Sequence, residues 1–448
     1  MIPVYLSEIF KLFGQELSGE DKLITGVSTD SRKVGETELF VPIVGEVHDA
    51  HKFIPSIETC GATLCERECG ETAFPQIRVD STVKALGIIA RANAEKINRR
   101  VTVSLTGSVG KTTTKEMCAL VLSSAYRTDK NVGNLNNHIG VPLTLLSLDE
   151  GCEALVCEMG MNHMGEISYL ASLLKSDVAI ITNVLYSHIE NLGSRENIAK
   201  AKLEILEGLK PDGTLIINGD EPLLSGLDIP QRIIRVGMSD GCEVTADNIR
   251  TSSEGVVFDC AVFGERVEVR LPVPGKHNVQ NAMIAIALGY VSGISPERSA
   301  AALEKYVPAG MRQRIYKKRN TTVIADCYNA GFESMCAALE SMRDMKGEHK
   351  SIAVLGDMLE LGEMSEELHR RVGRRVAETG VDILFTLGDS ARFILEEAKG
   401  VESCHFNNKE TLARALESYI ERDAIILFKA SRGMSFEDII GLCSLTQD

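Results

Sequence analysis

The chain carries its apolar positions in short continuous runs more often than in alternation. "VTVSL" (101–105), "ALVCEM" (154–159), "DVAIITNV" (177–184) and "GTLIING" (213–219) are each followed by a stretch with helical spacing. Runs of this kind are buried on both faces, so they predict a parallel sheet covered by helices on both sides. "FGERVEVRLPV" (263–273) does alternate, which predicts a half-exposed hairpin strand attached to that sheet. "HNVQNAMIAIALGYV" (277–291) predicts a buried helix.

After "PAGMRQR" the pattern restarts. "TTVIADCY", "SIAVLGDM", "DILFTLG" and "AIILFKA" are the strands of a second doubly wound sheet. Ahead of both, "ELFVPIV", "ATLCE" and "QIRVD" combine with a helix around "STVKALGIIARANAEKI" into a small α/β unit, closed by polar "NRR". The expectation is an α/β chain of three domains, 1–98, 99–308 and 309–448, the middle one a parallel sheet with a phosphate loop and the last Rossmann-like.

Composition changes this picture little. Of 448 residues, 44% are hydrophobic and 25% charged, ordinary for a globular protein. A net charge of −15 argues against a nucleic-acid or anionic-membrane surface, while leaving room for a local anion site. No apolar stretch reaches the roughly 18 residues of a membrane span. The start "MIPVYLSEIF" lacks a basic segment ahead of a long apolar core, so no signal peptide is expected. Twelve scattered cysteines, mostly in apolar runs, fit reduced thiols in a cytoplasmic protein. His48, His51, Cys60, Cys65 and Cys69 cluster without the spacing of a zinc ribbon or finger, and are read as loop histidines and ordinary thiols.

The chemistry concentrates at the carboxyl ends of the middle strands. "LTGSVGKTTTKEM" follows "VTVSL" and runs into helix-forming residues. The common phosphate loop has a glycine five positions before its Gly-Lys pair. Here that position is Leu105, and the first glycine, Gly107, stands only three before Gly110. A strand, this loop and a helix together favour a phosphate cradle over a plain glycine turn with a surface lysine. Lys111 would reach the β/γ-phosphates and Thr112 would hold Mg²⁺. Glu158 closes the next strand and could be a solvated strand end; beside a phosphate loop the metal role is favoured. His188 follows the third strand and is promoted only by that position. In "RENIAKAKLEILEGL", Ile198, Ala199, Leu203, Ile205, Leu206 and Leu209 form an apolar face. Lys200 has Glu204 four residues on as an expected partner. Lys202 lies on the apolar face. Either it snorkels past Leu206, or it is deprotonated, paired or modified.

These segments resemble the Mur ligase family, ATP-dependent amide-bond ligases of peptidoglycan precursor synthesis, whose phosphate loop has the shortened form TG(x)xGKT(S/T). The likeness covers nearly the whole chain in order: "VSTDSRKV…ELFVPIVGEVHDAHKFI", "TGSVGKTTTKEM", "NVGNLNNHIGVPLTLL", "EMGMNHMGEI", "ITNVLYSHIENLGSRENIAKAKLEI", "GKHNVQNAMIAIA", "DCYNAGFESM" and "VLGDMLELGEMSEELH". The resemblance implies a uridine-nucleotide domain, an ATP domain and a C-terminal domain for the amine substrate. It implies that Ser31 and Arg32 touch uridine diphosphate. Gly107, Ser108, Val109, Gly110, Lys111, Thr112 and Thr113 would bind ATP phosphates. Asn134, Asn136 and Asn137 would line the substrate region. Glu158, His188 and a carbamylated Lys202, with Thr112, would hold two Mg²⁺ ions. Asn278 and Asn281 would hold adenine, and Arg312 and Asp326 would reach the nucleotide on domain closure. Lys111, His188 and Lys202 would be the catalytic set.

The implied reaction joins D-alanyl-D-alanine to a UDP-N-acetylmuramoyl-tripeptide through an acyl phosphate, in a monomer. The chain departs from the family's YNA(N/S)P at Gly331 and Phe332, and from its KGSR at Lys429–Arg432, here "KASR". The "DNPR" signature of the diamino-acid-adding activity is absent. Two rivals stand beside this: a Mur-like ligase with a different acceptor, and a nucleotide-dependent binding protein that ligates nothing.

Overall fold

The computed structural model describes residues 1–45, 48–420 and 422–446. Among these residues the largest sheet has nine strands. In spatial order they are Glu265–Leu271, Gly255–Val262, Val244–Ser252, Arg232–Val236, Leu209–Asn218, Ser176–Ile181, Val101–Thr106, Ala154–Glu158 and Thr128–Lys130. The six from Arg232–Val236 to Thr128–Lys130 run parallel. Glu265–Leu271 and its neighbours form the antiparallel edge expected from their alternation.

Strand Val101–Thr106 lies inside the sheet. The chain leaves it to build one flank, with Thr128–Lys130 and Ala154–Glu158, then returns to build the other from Ser176–Ile181. The carboxyl ends of three strands therefore meet at a topological switch point, where open α/β sheets bind ligands.

The continuous apolar runs have a direct structural cause. Val103, Leu105, Val156, Ile180 and Ile216 face a core with Met117 and Val121 of helix Lys111–Ser123 and Ala282 and Ile286 of helix His277–Val291. Their neighbours Leu155, Cys157, Ala179, Ile181, Leu215 and Ile217 face the opposite core, with Val141 and Leu145 of helix Gly140–Leu146 and Ile167 and Leu170 of helix Glu166–Leu174. Both faces are apolar because both are covered. The second core continues into the N-terminal unit through Leu86, Ile89 and Ala90 of helix Thr82–Ala94.

The N-terminal unit has four parallel strands, Gly26–Ser28, Glu38–Phe40, Ala62–Cys65 and Gln76–Arg78. The strand expected over "ELFVPIV" stops at Phe40, two residues before Pro42, which has no N–H to give a ladder. His51 is buried against Asp49, and its Nε2 accepts the Glu66 N–H at 3.1 Å. Among the described residues no group of three or more His, Cys, Asp or Glu could hold a metal ion.

The C-terminal sheet runs Arg314–Lys318, Thr321–Ala325, Ala424–Lys429, Lys350–Gly356, Ile383–Leu387 and Glu402–Phe406, parallel except for the first. The two edge strands, "RIYKK" and "ESCHF", escaped the pattern reading because polar and charged residues interrupt their apolar positions.

One expected pair is not made. The α-helix begun at Arg195 ends at Leu203, and Glu204–Gly208 continue as a tighter 3₁₀ turn. Glu204 turns away from Lys200 and accepts the Gly165 and Ser168 N–H groups at 2.7 and 3.1 Å. It thereby serves the open N-terminus of helix Glu166–Leu174. Among the described residues no helix is long and apolar enough to cross a membrane.

Candidate active site

The loop after Val101–Thr106 is held by the next strand end. Asn183 Oδ1 accepts the Ser108 and Val109 N–H groups at 3.1 and 2.9 Å, and Asn183 Nδ2 and Thr182 Oγ1 donate back to the Val109 carbonyl. Gly107 is required by this closeness, because a Cβ there would lie 1.8 Å from Thr182 Oγ1. Gly110 holds φ 76°, left-handed backbone that glycine adopts without strain, and caps helix Lys111–Ser123. Among the described residues the N–H groups of Gly110, Lys111, Thr112 and Thr113 have no partner. Four free donors at the positive end of a helix make an anion site. Lys111 Nζ lies over the same loop, donating to the Gly107 and Ser108 carbonyls at 2.8 and 3.2 Å. Burial pushes its ammonium below the usual lysine range, with Glu158 opposing.

Glu158 is 3% exposed and fully engaged. Its Oε2 accepts Thr112 Oγ1–H at 2.8 Å and its Oε1 accepts Asn136 Nδ2–H at 2.9 Å. Asn131 clamps its backbone in both directions. Two expected Mg²⁺ ligands are thus in direct contact, both hard oxygen donors of the kind this ion takes. Asn137 instead caps helix Gly140–Leu146, accepting the Ile139 and Gly140 N–H groups.

His188 sits in left-handed backbone, φ 63°, beyond strand Ser176–Ile181, at the start of the short helix Ile189–Leu192. Glu360, from the C-terminal unit and also left-handed at φ 62°, places Oε2 at 2.7 Å from its Nδ1, off the direction of the ring N–H. The pair misses hydrogen-bond geometry at Nδ1, and the nearness of His188 holds the Glu360 acid below its ordinary range against the cost of burial.

Lys202 is 1% exposed, so it does not snorkel to solvent. Among the described residues it has no hydrogen bond or ion pair. Burial first, then the charge of Lys111, pushes its amine well below the ordinary lysine range.

A cavity of 1220 Å³ joins these pieces between the central and C-terminal units. Ser108 to Thr113, Asn134, Asn136, Asn137, Glu158, His188, Asn278, Asn281, Arg312 and Asp326 line it. Asn281 Oδ1 accepts from Thr114 Oγ1 directly under Gly110. Arg312 stacks 3.6 Å from the Tyr328 ring centroid, and Asp326 pairs with the buried Lys429 at 2.7 Å. Gly107, Lys202, Ser31 and Arg32 are not among the lining residues. Arg32 is paired with Asp30 instead. The volume exceeds the few hundred to about 1,000 Å³ of a usual single-ligand pocket, so it has room for more than one substrate.

Residues 105–289 match the Mur ligase middle domain, and residues 311–432 match the Mur ligase glutamate ligase domain. The chain is 41% identical to the UDP-N-acetylmuramoyl-tripeptide–D-alanyl-D-alanine ligase of Bacillus subtilis over 94% of this chain and 93% of that one. It belongs to the Mur ligase family. Its fold is similar to that of MurF from Acinetobacter baumannii, with a TM-score of 0.91, 30% identity and 99% of each chain covered. It is also similar to the MurF ligase of Thermotoga maritima solved in complex with ADP, with a TM-score of 0.84, 25% identity and 93% and 96% coverage.

In this Mur ligase several site residues were not singled out from sequence. Asn131 and Asn183 act by hydrogen bonds across the sheet, which leave no pattern along the chain. Lys115 is different. It is fully buried on helix Lys111–Ser123, among Met117, Cys118 and Leu122. The test that exposed Lys202, a lysine on an apolar helix face, would have found it too.

Proposed function

We propose that this chain is an ATP-dependent ligase that joins D-alanyl-D-alanine to UDP-N-acetylmuramoyl-tripeptide in peptidoglycan precursor synthesis. The observation that carries the chemistry is the union, in one cavity, of four free loop N–H groups, Lys111 and the Thr112–Glu158 pair. The terminal carboxylate of the tripeptide attacks the γ-phosphate of ATP, giving an acyl phosphate and ADP. Two anions must meet, and Lys111 with the loop N–H groups stabilises the charge that develops. The acceptor amine then attacks the acyl carbonyl and phosphate leaves. Residues 1–98 hold the uridine end with Ser31 and Arg32, 99–308 bind ATP, and 309–448 bind the acceptor and close over the nucleotide with Arg312 and Asp326.

The donor set fits Mg²⁺. Thr112 and Glu158 would hold it, with His188 and Lys202 serving a second ion, and bound Mg²⁺ supplies positive charge to the phosphate oxygens. Lys202 suits carbamylation, since a carbamate forms only from a neutral amine and CO₂, and this amine is dry and unpaired. The enzyme works in the cytoplasm as a monomer. The test is phosphate release from ATP by the purified chain. Release should require both UDP-muramoyl-tripeptide and D-alanyl-D-alanine. Release with another amine but not this dipeptide would assign a different acceptor, and release with neither substrate would reject ligation.

A further inference from the structure

The C-terminal wall of the cavity is built by helix Phe332–Lys346, whose Glu333, Ser334, Ala337 and Ala338 all line it. Glu333 is the anomaly on that wall. Among the described residues its carboxylate has no ion pair and no hydrogen bond to another residue, and takes only its own backbone N–H. Charged groups face it without closing on it: Arg195 from helix Arg195–Leu203, Arg371 from helix Ser365–Glu378, and Glu221. Arg195 is engaged elsewhere, donating to the Val184 carbonyl at 2.7 Å and to Glu221 Oε1 at 2.8 Å. Arg371 stacks 4.1 Å from the Phe332 ring centroid. Burial outweighs both arginines and pushes the Glu333 acid above its ordinary range.

A carboxylate that is half-buried, unpaired and open to a substrate cavity is unfavourable until a cation reaches it. Of the three substrates assigned above, the acceptor dipeptide is the one whose reacting group is an ammonium. Glu333 also follows Gly331 and Phe332 directly, where this chain departs from the family pattern.

We propose that Glu333 receives the ammonium of the acceptor dipeptide and takes the proton that must leave before the nitrogen can attack. This rests on the ligase function above. The freed lone pair forms the C–N bond while the C–O bond to the phosphoryl group breaks, its electrons leaving with phosphate. The second amine proton passes to that phosphate, and Glu333 returns the first to solvent.

The test compares wild type, Glu333→Gln and Glu333→Asp with two acceptors. One is D-alanyl-D-alanine. The other is hydroxylamine, uncharged near neutral pH, which traps the acyl phosphate as a hydroxamate without needing an ammonium site. Glu333→Gln should lose about 100-fold in kcat/KM for the dipeptide, the usual scale of general acid–base catalysis. The loss should shrink as pH rises past the dipeptide's own amine pKa, about 8. Glu333→Asp should recover part of it. The KM values for ATP and the UDP-tripeptide, and the rate of hydroxamate formation, should stay at wild-type levels. Unchanged dipeptide kinetics in Glu333→Gln would overturn the proposal. So would an equal loss with hydroxylamine, or an effect confined to the UDP-tripeptide KM. A wild type that forms the hydroxamate but does not use the dipeptide would instead reject the acceptor assignment on which the proposal rests.

Discussion

Two lysines are buried in the central sheet domain, and their surroundings are opposite. Lys115 is 0% exposed and surrounded by acceptors: its Nζ donates to the Asn131 carbonyl at 2.7 Å and lies 3.4 Å from Glu116 and 3.8 Å from Glu158. Lys202 is as deeply buried, has no partner, and feels the like charge of Lys111. The first can stay an ammonium because its charge is answered, and it props the acid wall of the site. The second is held toward the neutral amine. Equal burial therefore gives a braced ammonium in one case and an unpaired amine in the other, and the acceptors within reach decide which.

The largest effects should come from activity. Lys202→Ala should lose most turnover, and so should Lys111→Ala, by about 100–1000-fold for a lost charge-stabilising donor. Acetate should partly restore Lys202→Ala by supplying a carboxylate where the carbamate would stand. It should do nothing for Lys111→Ala, where a cation is missing. Steady-state rates with and without acetate measure both, and near-normal turnover of Lys202→Ala would remove the reactive role.

Next in size is stability, where the order of the two lysines reverses. Lys115→Met strands the Asn131 carbonyl and removes the buried cation beside Glu116 and Glu158, and should cost about 3 kcal/mol, as breaking a buried ion pair does. Lys202→Met replaces an unpaired buried amine with an apolar chain of similar shape and should cost nothing, or stabilise. Urea midpoints compare them.

The pH dependence sharpens this. The folded-state pKa of Lys202 is depressed below 10.5, so between the two values the unfolded chain binds more protons. Its burial penalty is therefore full at low pH and fades as pH rises toward 10.5. In bicarbonate-free buffer the advantage of Lys202→Met over wild type should shrink over that range. A constant advantage would mean that Lys202 stays charged when folded.

Smaller effects test the helix that carries Lys202. Glu204→Ala removes the acceptor at the start of helix Glu166–Leu174 and should cost about 1 kcal/mol, the scale of a lost helix cap. Lys200→Ala should leave turnover unchanged, because Lys200 is exposed and Glu204 is committed elsewhere. A large loss there would erase the distinction between neighbouring lysines.

Much of this enzyme was readable along the chain. The apolar runs marked the core strands, since a strand covered on both faces has no polar side to show. The phosphate loop and Glu158 were singled out because each stands at a strand's carboxyl end, and His188 because it follows the neighbouring strand, since a parallel sheet brings such ends together. Lys202 stood out as a lysine in an apolar stripe.

Three dimensions decided the rest. Whether Glu204 serves Lys200 or a neighbouring helix turned on where the α-helix tightened after Leu203. The asparagines that hold the loop and Glu158, the meeting of His188 with Glu360, and the bare carboxylate of Glu333 join positions far apart in the chain, 172 residues in the case of His188 and Glu360. Local sequence sets hydrophobic period and turn chemistry, because both act over a few residues. Which polar group meets which is settled only when separate elements pack, since desolvation and hydrogen-bond satisfaction belong to the whole fold.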